Sequence, residues 1–140
     1  MATEEPKSPF QDAWERSPGF VYFIAAGNPP VAIKIGVTKQ SEFPHRFRAL
    51  QGSNHEPLRL LGVIPFDEGE RPMKAAELKE AELHQRFTHL RRFEAGWVGS
   101  EWFTASPELE EFIGRHSVSP IARGLPEAIA RPRSGLPSSK

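Results

Sequence analysis

Apolar residues along the chain gather first in two short segments, Val21-Tyr22-Phe23-Ile24 and Ile33-Lys34-Ile35-Gly36-Val37-Thr38. Both are rich in β-branched and aromatic residues, which suit a pleated, half-buried surface. The connection from Ala25 to Ala32 carries Gly27-Asn28-Pro29-Pro30, which cannot continue a strand and has to turn. The pattern predicts a β-hairpin with a polar residue, Tyr22 or Lys34, near the middle of each strand. Gly36 follows where another group needs close approach to the backbone.

Beyond the hairpin, the pattern predicts helix, strand, long helix, loop and short helix. Ser41 or Glu42 starts the first helix, Pro44 is tolerated in its first turn, and Phe43, Phe47 and Leu50 share one face before Gly52 stops it. Leu58 to Phe66 alternates less cleanly, and Leu60-Leu61-Gly62-Val63-Ile64 reads as a central strand covered on both sides. Met73 to Leu90 predicts a long helix with Ala76, Leu83, Phe87 and Leu90 in an apolar stripe. A last helix over Pro107 to Gly114 takes Ser106 as N-cap, with Pro107 at its first position. Residues 1–18 read as a flexible arm, although Phe10 and Trp14, four apart, are placed to dock one helical turn onto the core. Residues 116–140, rich in Ser, Pro, Arg and Gly, read as a disordered basic tail, with a short helix at Ala128-Ile129-Ala130 as an option. Residues 19–115 are the folded domain.

Composition narrows the function less than the pattern does. Lysine and arginine balance aspartate and glutamate at 18 each, so net charge gives no support for nucleic-acid binding. Distribution is more useful: residues 31–66 hold five basic residues against two acidic, and residues 114–140 hold five against Glu127 alone. A locally basic face suits phosphate, as it suits many ordinary surfaces. Without cysteine there is no disulfide, zinc thiolate or thiol nucleophile. The longest apolar run, Phe20 to Ala26, falls far short of the ~20 residues of a membrane span. With no secretory pattern at the N-terminus, the expected compartment is the cytoplasm.

Several residues break the apolar periodicity. Glu80 fills the gap between Ala76 and Leu83, inside the edge of the long helix's stripe, with His84 one turn along the same border. A carboxylate facing a core needs a cation, either an arginine or lysine as an ion pair or a divalent metal such as Mg²⁺. Arg46, beside the apolar face of the first helix, poses the same choice: partner of Glu80, or clamp for a phosphodiester. Arg48 points elsewhere and reads as a solvated charge. Taken singly, Tyr22 reads as a half-buried strand tyrosine, Lys34 as an edge-of-sheet charge and His84 as a boundary histidine. Glu101-Trp102-Phe103 reads as a core closure.

Their order along the chain carries more. Tyr22, Lys34-Ile35-Gly36, Arg46, Glu80 with His84, and Glu101-Trp102-Phe103 together resemble the GIY-YIG nuclease superfamily. The nearest branch is the phage-type and meiotically up-regulated group, usually described as DNA-binding or nuclease-like. The resemblance covers Gly19 to Gly114, about two-thirds of the chain. It implies an α+β fold, a small three-stranded antiparallel sheet flanked by helices, with the site on one sheet face. It also implies phosphodiester hydrolysis on DNA with one divalent ion, Mg²⁺ or Mn²⁺, held by Glu80. Arg46 would clamp the phosphate. Tyr22, helped by Lys34 or His84, would position or deprotonate water. Lys34 would also bind phosphate or help depress the Tyr22 pKa. Lys34, Gly36, Lys39, Arg46 and Arg48 would form the nucleic-acid-binding surface. Two positions depart from the family: Lys34 stands where the second tyrosine is usual, and no asparagine follows Glu80.

Three functions follow from these residues: a metal-dependent endonuclease, a DNA-binding module with weak or no cleavage, and an interaction protein that keeps only the fold.

Overall fold

The computed structural model describes residues 7–93 and 101–128. Its hairpin pairs β1 (Gly19–Ala26) with β2 (Ala32–Lys39), antiparallel, with Tyr22 opposite Gly36 and Ile24 opposite Lys34. On the far side of β1 runs β3 (Leu58–Phe66), and outside β2 lies a short fourth strand, β4 (Trp102–Thr104). The sheet order is β3-β1-β2-β4, so the expectation of three strands is corrected to four. Only three residue pairs join β4 to β2, too few to leave an alternation that the sequence displays.

β1 is the central strand, and all eight of its residues are buried. The expectation that β3 is central is therefore corrected as well. Its continuous apolar run has another cause, a register shift opposite Phe23 and Ile24. The shift inserts one extra residue, so Leu58, Leu60 and Val63 face one side while Leu61, Ile64 and Phe66 face the other.

Helices cover both faces. On one, α3 (Pro72–Arg86) and α4 (Pro107–His116) bury Met73, Ala76, Leu83, Leu109, Phe112 and Ile113 against Val21, Phe23, Ile33 and Ile35. On the other, α2 (Phe43–Gly52) buries Phe43 and Phe47 against Phe20, Tyr22, Ile24 and Leu60. A 3-10 turn at Gln40–Glu42 leads into α2. The long helix ends at Arg86 and not at Leu90, because Phe87 leaves helical geometry and Thr88–Leu90 tightens into a 3-10 turn. Ser106 caps α4 as its sequence requires, its hydroxyl accepting from the Leu109 amide at 3.3 Å.

The two terminal segments are more ordered than their composition implies. Residues Pro9–Glu15 form α1, capped by Ser8. This helical turn docks onto the core through Trp14, while Phe10 is 85% exposed and takes no part. Charge holds the helix as well: Arg71, just before α3, donates to Asp12 at 2.7 Å and to the buried Glu15 at 3.0 Å. After α4, residues 117–127 run as a strap along the outer edge of β3. Val118 exchanges backbone hydrogen bonds with Val63, and the Leu60 amide donates to the Glu127 carbonyl at 2.7 Å. A Cβ on Gly62 would lie 2.1 Å from the Ser117 hydroxyl, so only glycine admits the strap this close. Leu125 is buried with the α2 face, and Arg123 ties the strap to Asp67. This part of the expected disordered tail is thus a packed segment, because it satisfies backbone groups on an otherwise open sheet edge. The proposed helix at Ala128-Ile129-Ala130 lies outside the described residues beyond Ala128. Among the described residues no helix is long and apolar enough to cross a membrane.

Leu125→Ala is expected to cost about 2 kcal/mol, the low end for a buried leucine, since its site is at the rim of the core. A variant ending at His116 loses the Val118 pairing too and should melt below the single substitution. An unchanged melting temperature for the truncation would show that the strap contributes nothing to the fold.

Candidate functional site

The candidate residues meet at the outer edge of β2, just past the point where β4 stops. Residues Lys34 and Gly36 alternate onto the α2 face, the same face as Tyr22. Gly36 lies directly under the Tyr22 ring: a Cβ there would come within 2.4 Å of both the ring carbon Cζ and the hydroxyl oxygen. The glycine lets the phenol cross its neighbouring strand and reach the sheet edge, which is the close approach that the hairpin pattern anticipates. Phe43 of α2 packs on the same ring, centroids 5.4 Å apart. Tyr22, Lys34 and Arg46, with Ala49 and Leu50 of α2 and Ser53 just past its end, line a cleft of about 280 Å³.

From the opposite face, α3 brings Glu80 and His84 to the same edge. His84 Nε2 lies 2.9 Å from the Ile35 carbonyl oxygen. A carbonyl only accepts, so this nitrogen carries a proton and donates it. The Glu80 carboxylate lies 4.0 Å from that nitrogen, beyond a hydrogen bond. The Arg46–Glu80 ion pair, one of the two alternatives for these residues, is absent among the described residues, where the His84 ring is the one basic side chain within 4.0 Å of the Glu80 carboxylate. Glu80 is nonetheless only 21% exposed. Burial, then the nearby Glu101 carboxylate, pushes its carboxyl up to about 7, against the partial relief of Lys34.

Glu101 is the residue that the sequence pattern did not single out for the site. Its carbonyl accepts from the Ile35 amide at 3.0 Å, and its carboxylate takes the Lys34 ammonium as an ion pair. The sequence carried it only as the first residue of the closure Glu101-Trp102-Phe103, in the family-like order but without a role at the site. Burial and the Glu101 charge together push the Tyr22 phenol up to about 12, and Arg46 offsets this only in part. The expectation that Lys34 depresses the Tyr22 pKa is therefore corrected, because Glu101 neutralises the lysine and adds its own negative field.

Two further basic candidates stand apart. Lys39 is out of phase with Lys34 and Gly36 on the strand, and its ammonium lies 3.6 Å from Glu42. Arg48 is exposed and does not line the cleft, whereas Arg46, also exposed, does.

A family model described as the T5orf172 domain matches residues 19–116. The chain belongs to the T5orf172 domain family. The match begins with the first residue of β1 and ends with the last of α4, so α1 and the strap lie outside it. No match to a curated protein or to a solved structure reaches significance. All the residues converging at Ile35 fall within the T5orf172 span.

The donor set bears on a divalent ion in one respect. No group of three or more His, Cys, Asp or Glu side chains fit to hold a metal occurs among the described residues. The half-buried Glu80 carboxylate, with no lysine or arginine within 4.0 Å among the described residues, does fit an ion that takes its remaining ligands from water and phosphate.

Gly36→Ala should displace the Tyr22 ring and cost about 1–3 kcal/mol. Pairing it with Tyr22→Leu should recover much of that loss, and additive losses in melting experiments would show that the ring does not rest on Gly36. For Glu80, the pKa direction fixes a second outcome. Its carboxyl titrates near 7 when folded against 4.5 ordinarily, so the stability that it contributes is complete below 4.5 and is lost as pH rises through about 7. Glu80→Gln should therefore match the parent chain at pH 4 and exceed it by roughly 2 kcal/mol at pH 8. A variant less stable than the parent at pH 8 would mean that the ionised carboxylate is paired and stabilising.

Proposed function

We propose that this T5orf172 domain binds DNA at the β2 edge and hydrolyses its phosphodiester bonds with a GIY-YIG-type site that requires a divalent ion. The observation that carries the reading is Glu80: a carboxylate held largely out of water with no lysine or arginine within ion-pair distance among the described residues, beside a cleft lined by Tyr22, Lys34 and Arg46. Burying such a charge is costly, and a fold that needs it only for packing gains nothing from it.

In this reading Arg46 holds a non-bridging phosphate oxygen pair through its planar guanidinium. Tyr22, neutral with a phenol near 12, orients a water by hydrogen bonding and does not deprotonate it at physiological pH. His84 supports the site through Nε2 and leaves only Nδ1 for proton transfer. A divalent ion bound at Glu80 would supply charge stabilisation for the departing oxygen. Lys34 contributes phosphate affinity when its ammonium is released from Glu101.

A second reading, a DNA-binding module without turnover, draws on the raised Tyr22 phenol and the pairing of Lys34 with Glu101, since these leave neither residue to act as a base. One variant separates the two. In plasmid nicking with Mg²⁺ or Mn²⁺, Glu80→Gln should lower the rate about a hundredfold or more while DNA affinity persists. In both readings affinity falls as salt rises. Parent protein that binds DNA but nicks no faster than Glu80→Gln would establish the module; salt-independent binding would remove both readings.

A further inference from the structure

The ion pair between Lys34 and Glu101 ties up one of the two cations that line the cleft. Lys34 is the strand residue beside Tyr22 and Arg46 in that cleft, and it is only 15% exposed. Glu101 is fixed by its backbone, whose carbonyl takes the Ile35 amide, so its side chain starts from the sheet edge next to Lys34 and not from a free loop tip. Its carboxylate is 44% exposed, which leaves it solvent to turn into. We infer that Glu101 is a built-in anion that occupies Lys34 in the unliganded protein and must be displaced by a phosphodiester, so that it sets the affinity of the site. This inference rests on the DNA-binding reading.

The chemistry of the two acceptors favours such an exchange. A carboxylate and a phosphodiester both present paired oxygens to an ammonium, so they compete for the same donors. When the phosphodiester binds, Lys34 changes partner and the Glu101 carboxylate turns to water. The ion pair then subtracts its own strength from the observed affinity, as any competing closed state does. Glu101 also acts at a distance: its field is felt at both the Tyr22 hydroxyl and Glu80, which places its negative charge among the groups that face the phosphate. Removing that charge frees Lys34 and lifts a repulsion at once. A pair that served only to close β4 onto β2 would not have this effect, because three backbone-paired positions already join those strands.

The test measures binding of a fluorescein-labelled DNA duplex by anisotropy, in EDTA, so that hydrolysis plays no part. Glu101→Gln keeps the side-chain shape and the backbone bond to Ile35. It should tighten binding roughly fivefold, the gain expected for releasing one partly exposed ion pair. Lys34→Met should weaken binding, and adding Glu101→Gln to it should recover little, because the lysine to be freed is gone. Melting curves on the same variants keep folding separate from affinity. Equal or weaker binding by folded Glu101→Gln, with Lys34→Met also weakened, would overturn the inference and leave the DNA-binding reading standing. Absence of binding in the parent and in every variant would overturn both, since Glu101→Gln should have exposed the site.

Discussion

Ile35 presents both of its outward backbone groups at a place where the sheet has run out of partners. β4 pairs with β2 only from Ala32 to Lys34, so the next residue needs other groups for its amide and carbonyl. The Glu101 carbonyl takes the amide and the His84 ring takes the carbonyl. Those two bonds bring the residue preceding β4 and the last turn of α3 to one point on the sheet edge. Glu80 is positioned through His84 one turn later, and the Glu101 carboxylate through its own backbone. The polar site is thus a consequence of how a short edge strand ends.

Gly36 supplies the other half of that geometry. Tyr22 stands on the central strand, buried, and its hydroxyl reaches the edge only because the residue opposite it has no side chain. The phenol and the α3 carboxylate therefore come from opposite faces and meet beside β2. The electrostatics follow from the same crowding. Two carboxylates, a phenol and two cations share little water, so Glu80 and Tyr22 are both displaced toward their neutral forms. Poising of this kind is common at sites that bind charge.

The margins of the domain follow a different logic. α1 is tied by Arg71 to Asp12 and Glu15, and the strap is tied by backbone pairing to β3 and by Arg123 to Asp67. Both segments lie outside the family match, and both cover ground that the sheet leaves open. Their composition, dominated by proline, serine and charge, hides this because the stabilising partners are remote in sequence.

The sequence alone determined the hairpin, α2 and α3 with their apolar stripes and the capped last helix, since each depends on neighbours within a turn or two. It also singled out Tyr22, Gly36, Arg46, Glu80 and His84, because each interrupts a local period or stands at a defined place in a family's order. Tertiary structure decided the rest. The fourth strand is three residues long and exists only through β2. The position of β3 at the edge was masked by a bulge that makes an edge strand look continuous. The partner of Lys34 was decided by Glu101, 67 residues away along the chain, where no local pattern operates. Periodicity reports which face a residue occupies; which charges share that face depends on distances that only the folded chain sets.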